Sequence, residues 1–209
     1  METGGLMTFY KWILPSCVAL IGVSFLSQGA YMQIKANFAQ YLIEQAWSKT
    51  LKDQLPHKPW SWADTHPVGK LKLYADKETD LYPIGQPMYV LAGASGRNLA
   101  FGPSLILSGA GVGEQGNTII AGHRDTHFLP LKKVKKGDIV ELETSYGMQQ
   151  NYLITQINIV HESQTEILDM TTDNQLTLIT CYPFEDLSAN SEYRYVVTAK
   201  KVNSGHRLI

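Results

Sequence analysis

Cys181 ends an alternating run, Leu176 to Cys181 (LTLITC), and a Tyr-Pro break follows it. The chain has one other cysteine, Cys17, inside an apolar N-terminal run, so there is no disulfide framework and Cys181 reads as a free thiol. A free thiol is either buried and inert or exposed and reactive. Reactivity needs a base or an electropositive setting, because the thiolate is the nucleophile. Ordinary values near 8.5 for a thiol and 6.5 for an imidazole leave only about 1% of independently titrating pairs as thiolate–imidazolium at pH 7. A site built on such a pair must raise that fraction or work with little of it, and a nearby cation helps.

Six histidines could supply the base. His57 and His66 lie in a Pro- and Trp-rich stretch. His206 lies in the C-terminal tail, and His161 follows a strand end beside Glu162. His123 and His127 lie in NTIIAGHRDTHF, just past a run rich in β-branched residues. A histidine leaving a strand through Ala-Gly projects from a sheet rim, which favours His123. By itself such a residue is more often a surface histidine bonded in a turn; the company of a lone thiol changes that. Arg194 lies in EYRYVVTAKKV, the next strand after LTLITC, so the two strands are expected to pair. A guanidinium stays charged and offers a planar fork of donors. That suits a peptide carbonyl or a developing oxyanion.

Other chemistries fit less well. His123 and His127 are four apart, and Asp125 and Cys181 could complete a metal site. No third-ligand pattern, C-x-x-C or H-E-x-x-H is present, so no metal is assigned. SGAGVGEQGN is Gly-rich but is neither a P-loop nor G-x-G-x-x-G before a helix; it reads as a flexible loop. Lys132, Lys133, Lys135 and Lys136 read as a solvated turn. The net charge of −1 excludes nucleic acid as the main partner.

The elements that must position the trio are mostly strands. From Val68 the chain shows short alternating runs broken by Gly, Pro, Asn and Asp: VGKLKLY, PMYVLAG, LAFGPSLIL, NTIIAG, DIVELET, QNYLITQINIV, QLTLITC and EYRYVVTAKKV. About eight short strands with few helices give an all-β barrel or sandwich. Upstream, Trp12 to Ile34 holds no charged residue and can span a bilayer. A cleaved signal peptide is the rival. The n-region has only Lys11, and Ser27-Gln28-Gly29 matches small-x-small poorly, which favours an uncleaved anchor. Tyr31, Ile34, Phe38 and Leu42 then fall at helical steps, and LPHKPWSWADTHPVG reads as a linker. Trp60 and Trp62 either sit at a membrane surface or dock on the domain. The expected organisation is an anchor over 1–34, an amphipathic helix and linker over 35–67, and a catalytic domain over 68–209.

At these residues the chain resembles the sortases, membrane-anchored cysteine transpeptidases. NTIIAGHRDTHF is similar to the family's histidine segment. LTLITC matches its T-L-x-T-C signature as Thr177 to Cys181, and Arg194 falls where the family's arginine falls. GHRDTHF, TCYPF and RYVV resemble class D and Gram-negative-type sortases most. One departure is GPSLILSGAGVG, where those relatives carry a Gly-His and a Gly-Thr-Ala turn.

The resemblance implies a closed eight-stranded sortase-type β-barrel with short helices, preceded by an N-terminal transmembrane helix. It implies catalytic His123, Cys181 and Arg194, with Ala121 and Thr180 lining the substrate pocket. The implied partners are a protein bearing an LPXTG- or LPXTA-like sorting motif, an amine acceptor from cell-wall peptide or protein, and the membrane. The implied location is the cell membrane, single-pass, with the domain extracytoplasmic, or periplasmic in a Gram-negative host. No cofactor is required. Calcium modulation would fall on Glu141, Glu143, Glu162 and Glu166, though no ligand spacing compels it. Two rival functions are a cysteine hydrolase on the same scaffold, resolving the acyl-enzyme with water, and a catalytically silent tethered binding module.

Overall fold

The computed structural model describes residues 4–77, 80–186 and 191–202. His206 and the rest of the C-terminal tail lie outside the described residues. The chain divides into two units, Met1–Tyr41 and Leu42–Ile209. Helix α1 (Gly4–Asp53) runs through the first and contributes its last turns to the second. Among the described residues it is the one helix long and apolar enough to cross a membrane, its best window in Ile13–Asp53 having a mean hydropathy of 1.6.

The helical spacing around Tyr31 is present, but burial falls on a different stripe. Tyr31, Ile34 and Phe38 are exposed and Leu42 is half-buried, whereas Ile43, Ala46, Trp47 and Thr50 are buried. These four stand at i, i+3, i+4 and i+7, one face of a helix. Both stripes are apolar at helical steps, so only tertiary packing separates them. The buried stripe belongs to the second unit, where Glu44 accepts a hydrogen bond from the Tyr89 phenol; burial and that carboxylate push the phenol up to about 12. Trp60 docks on the domain through an edge contact with Phe101 at 5.0 Å, and exposed Trp62 lies against Trp60 at 5.3 Å.

The second unit is a barrel. Its strands are β1 (Pro67–Lys77), β2 (Asp80–Pro83), β3 (Met88–Ala92), β4 (Ser104–Leu105), β5 (Asn117–Ala121), β6 (Ile139–Thr144), β7 (Gln149–His161), β8 (Gln175–Tyr182) and β9 (Tyr193–Val202). A short helix α2 (Gly96–Leu99) and 3-10 turns at Leu129–Lys133 and Thr165–Leu168 interrupt them. Neighbours run β1-β3-β4-β5-β8-β9-β7-β6, and β6 pairs back onto β1 from Gly69↔Thr144 to Tyr74↔Ile139. Eight strands therefore close, which removes the unpaired edges of an open sheet. β2, exposed throughout, hangs on β1 outside the ring and is not evident in the alternation of the sequence. β3–β4 and β5–β8 are parallel; the other pairs are antiparallel.

Alternation sets the core. Leu73, Ile120, Val140, Ile154, Leu178 and Val197, one from each of six strands, meet inside. Side chains alternate faces along a strand, so Leu176 and Leu178 point inward on β8. By the same parity Thr180 is inward, while Ile179 and Cys181 are outward. The C-terminal end of β8 therefore mounts a thiol on the outer wall of a packed barrel.

Candidate active site

Cys181 on β8 lies directly opposite Arg194 on β9. Side chains of such a pair share one face, with Cβ atoms about 4.5–5.5 Å apart. His123 leaves the other neighbour, β5. The parallel ladder pairs Ala121 with Ile179, and the Gly122 N–H still donates to the Ile179 carbonyl at 3.1 Å. His123 follows two residues past the end of β5, the strand that neighbours β8 on the side away from β9. Cys181 and Arg194 thus face each other across β8 and β9, and the histidine segment leaves the strand on the other side of β8. His123 is exposed and Cys181 half-buried.

The mount under the pair is tightly built. Thr180 is 2% exposed, and its hydroxyl donates to the Gly122 carbonyl at 2.7 Å. A Cβ on Gly122 would lie 2.7 Å from Cγ of Phe128, whose side chain is fully buried. Only glycine lets that ring pass, a use of glycine for close approach. The Phe128 N–H donates to the His123 carbonyl at 3.0 Å, closing the turn that carries the imidazole. Arg124 donates to the Asp186 carbonyl, and Lys132 pairs with Glu185. Both contacts tie the histidine segment to the segment after Cys181. Behind Cys181, Tyr182 stacks on Tyr195 at 6.2 Å, and Phe184 meets Tyr195 edge-on at 5.1 Å.

His127, at the far end of the same turn, is half-buried. Burial holds its pKa below the ordinary imidazole range, the hydrogen bond to the Ala100 backbone works the other way, and the charge of His123 adds to the lowering.

A family model described as a sortase domain matches residues 82–202. The chain belongs to the sortase family. Sortase D of Bacillus subtilis (strain 168) is 37% identical over 90 residues, 43% of this chain and 44% of that protein. Sortase A of Listeria monocytogenes serovar 1/2a (strain ATCC BAA-679 / EGD-e) is 36% identical over 118 residues, 51% of each chain. The chain spans about half the length of these curated relatives. The solved structure of Listeria monocytogenes sortase A is 26% identical, with a TM-score of 0.55, covering 66% of this chain and 88% of that one. A Clostridium perfringens sortase D5 transpeptidase shares the fold at 24% identity and a TM-score of 0.55, covering 77% and 89%. The closed eight-stranded barrel is the sortase fold.

Within this sortase, Arg194 is held by polar contacts. Its Nη2 donates to Glu162 Oε2 at 2.8 Å, and its Nη1 donates to the carbonyls of Ser191 at 2.5 Å and Tyr193 at 3.0 Å. The Ser191 hydroxyl donates to the carbonyl of Tyr182, next to the thiol. Two of the carboxylates considered for a hard cation are otherwise engaged: Glu162 with Arg194, and Glu141 with Lys72 at 2.7 Å. Among the described residues no group of three or more His, Cys, Asp or Glu gathers as metal ligands would. Ala121 is half-buried at the end of β5, on the outward face with its partner Ile179. Thr180 faces inward with its hydroxyl spent on Gly122.

Three features of the site escaped the sequence reading. The Glu162–Arg194 pair joins residues far apart in sequence, and no local pattern announces it. The Arg124 and Lys132 ties are of the same kind. The Gly122–Phe128 contact did leave a signal: a glycine ending a strand marks a close approach.

Proposed function

We propose that the chain is a membrane-anchored cysteine transpeptidase. It would cleave an LPXTG- or LPXTA-like sorting motif after threonine and transfer the acyl group to an amine. The observation that carries this reading is the register of Cys181 on Arg194, with His123 two residues past the end of β5, the other neighbour of β8.

The Cys181 thiolate attacks the threonine carbonyl carbon. A C–S bond forms, the C–N bond breaks, and imidazolium His123 gives its proton to the departing amine. The product is a thioester on Cys181. An incoming amine attacks that thioester, His123 takes the surplus proton, the C–S bond breaks and the thiolate returns. Arg194 donates hydrogen bonds to the substrate carbonyl and to the oxyanion of both tetrahedral steps; losing such a donor costs about 10²–10³-fold in kcat. Ala121 lines the wall beside the pair, and Thr180 shapes the pocket from beneath through its hold on Gly122. The apolar span in α1 supports a single-pass anchor with the catalytic domain outside the cytoplasm, or periplasmic in a Gram-negative host. The partners are a sorting-motif protein and a cell-wall or protein amine.

The test incubates the full chain in detergent with an LPXTG or LPXTA peptide and an amine acceptor, beside Cys181→Ala. Mass spectrometry should find amine-linked product and a thioester on Cys181 in wild type, and neither in the variant. Cleavage without amine transfer would replace transpeptidation with hydrolysis. A thiol that resists alkylation in the folded protein would return Cys181 to a structural role.

A further inference from the structure

Arg194 must do two things at once: stay beside Cys181 and present a defined edge. A guanidinium has five N–H donors. Among the described residues three are taken, two on Nη1 by the Ser191 and Tyr193 carbonyls and one on Nη2 by Glu162. Nε–H and one Nη2–H have no partner among those residues and are left for a substrate oxygen. Ser191 and Tyr193 lie within three residues of Arg194 and grip only the Nη1 end. One gripped end leaves the plane free to swing. Glu162 supplies the second fixed point from the end of β7, a different strand. Its own backbone is fixed, since its N–H donates to the Glu192 carbonyl at 2.8 Å and the neighbouring His161 is registered on Tyr193.

The pair is a poor stabilising device. The side chains are 51% exposed for Glu162 and 29% for Arg194, and exposed ion pairs add little to folding. Its effect is geometric. We infer that Glu162 is a positioning residue: it holds the Arg194 guanidinium plane so that the free Nε–H edge meets the oxyanion formed at Cys181. This rests on the transpeptidase reading above.

The test compares Glu162→Ala, Glu162→Gln, Arg194→Ala and the Glu162→Ala/Arg194→Ala double variant in the full chain, with the same peptide and amine. Glu162→Ala should lower kcat about tenfold, a fraction of what loss of a whole oxyanion donor costs, with KM within about twofold. Glu162→Gln keeps an acceptor oxygen and should retain most of the rate. In the Arg194→Ala background, Glu162→Ala should change nothing further, the non-additivity of residues acting through one group. Iodoacetamide alkylation of Cys181, which forms no oxyanion, should proceed at the wild-type rate in Glu162→Ala and Glu162→Gln; a site that had merely collapsed would not do so. An unchanged or raised kcat in Glu162→Ala overturns the inference, as does an equal loss in the Arg194→Ala background. Faster alkylation in both Glu162 variants would make Glu162 a damper of charge at the thiol instead. A wild-type chain that transfers no peptide sinks the transpeptidase reading and this inference with it, whereas active wild type with a silent Glu162→Ala sinks the inference alone.

Discussion

On the β5–β8 side of the site, Cys181 and His123 ride on buried structure: Thr180 bonded to Gly122, and Phe128 packed where a Cβ on Gly122 would sit. On the β9–β7 side, Arg194 is held by a half-exposed carboxylate and two backbone carbonyls. The two sides differ in what it costs to move them. Displacing a buried hydrogen bond or a packed ring in a dense interior strains its neighbours. Displacing a solvated ion pair exchanges it for water at little cost. Cys181 and His123 therefore share the stability of the barrel, while the placement of Arg194 depends on contacts that add little to folding.

Substitutions that probe stability can break this contrast. Gly122→Ala should have the largest effect, because the buried Phe128 ring has nowhere cheap to go. Overpacking of this kind costs about 1–3 kcal/mol, read as a lower denaturant midpoint at unchanged slope. Thr180→Val keeps the volume but removes the donor to the Gly122 carbonyl, and should cost about 1 kcal/mol. Glu162→Ala should cost less than about 0.5 kcal/mol while changing the kinetics. If Glu162→Ala destabilised the fold as much as Gly122→Ala, the division between a buried mount and a surface-held arginine would fail. If Gly122→Ala were neutral, the mount would be softer than its packing implies.

The same division separates what was legible in the sequence from what was not. Inward positions such as Leu176 and Leu178 alternate with outward ones, and period two is a local signal. The β8–β9 pairing followed from adjacency, and with it the Cys181–Arg194 juxtaposition. Closure of the ring did not: the Lys72–Glu141 pair links residues 69 positions apart, and nothing within β1 names β6 as its partner. Parallel pairing of β5 with β8 was equally silent, yet it sets the histidine segment on the strand next to the one that carries the thiol. In α1 the spacing pointed to Tyr31, Ile34, Phe38 and Leu42, whereas burial falls on Ile43, Ala46 and Trp47, a choice that packing makes and spacing does not. Local periodicity is written in single segments; pair selection depends on the fit between segments.

A finer test of the mount uses pH. His127 is half-buried on that side, and burial lowers its pKa in the folded chain, helped by the charge of His123 and opposed by the Ala100 backbone. A depressed folded pKa means the unfolded chain binds the proton first as pH falls. The resulting stability is fully present above the ordinary histidine value of about 6.5 and is lost as pH drops through that value toward the folded one. Urea midpoints of wild type should therefore fall between pH 7 and pH 5. His127→Gln keeps a donor for the Ala100 carbonyl but cannot titrate, so its midpoints should fall less over the same range. Some slope should remain, because His66 is also held low, by burial and then by the charge of Lys58. Parallel wild-type and variant curves would mean that His127 is solvated in the folded chain. The turn between His123 and Phe128 would then be looser than the Thr180–Gly122 side of the mount, and His123 would be less firmly held than Cys181.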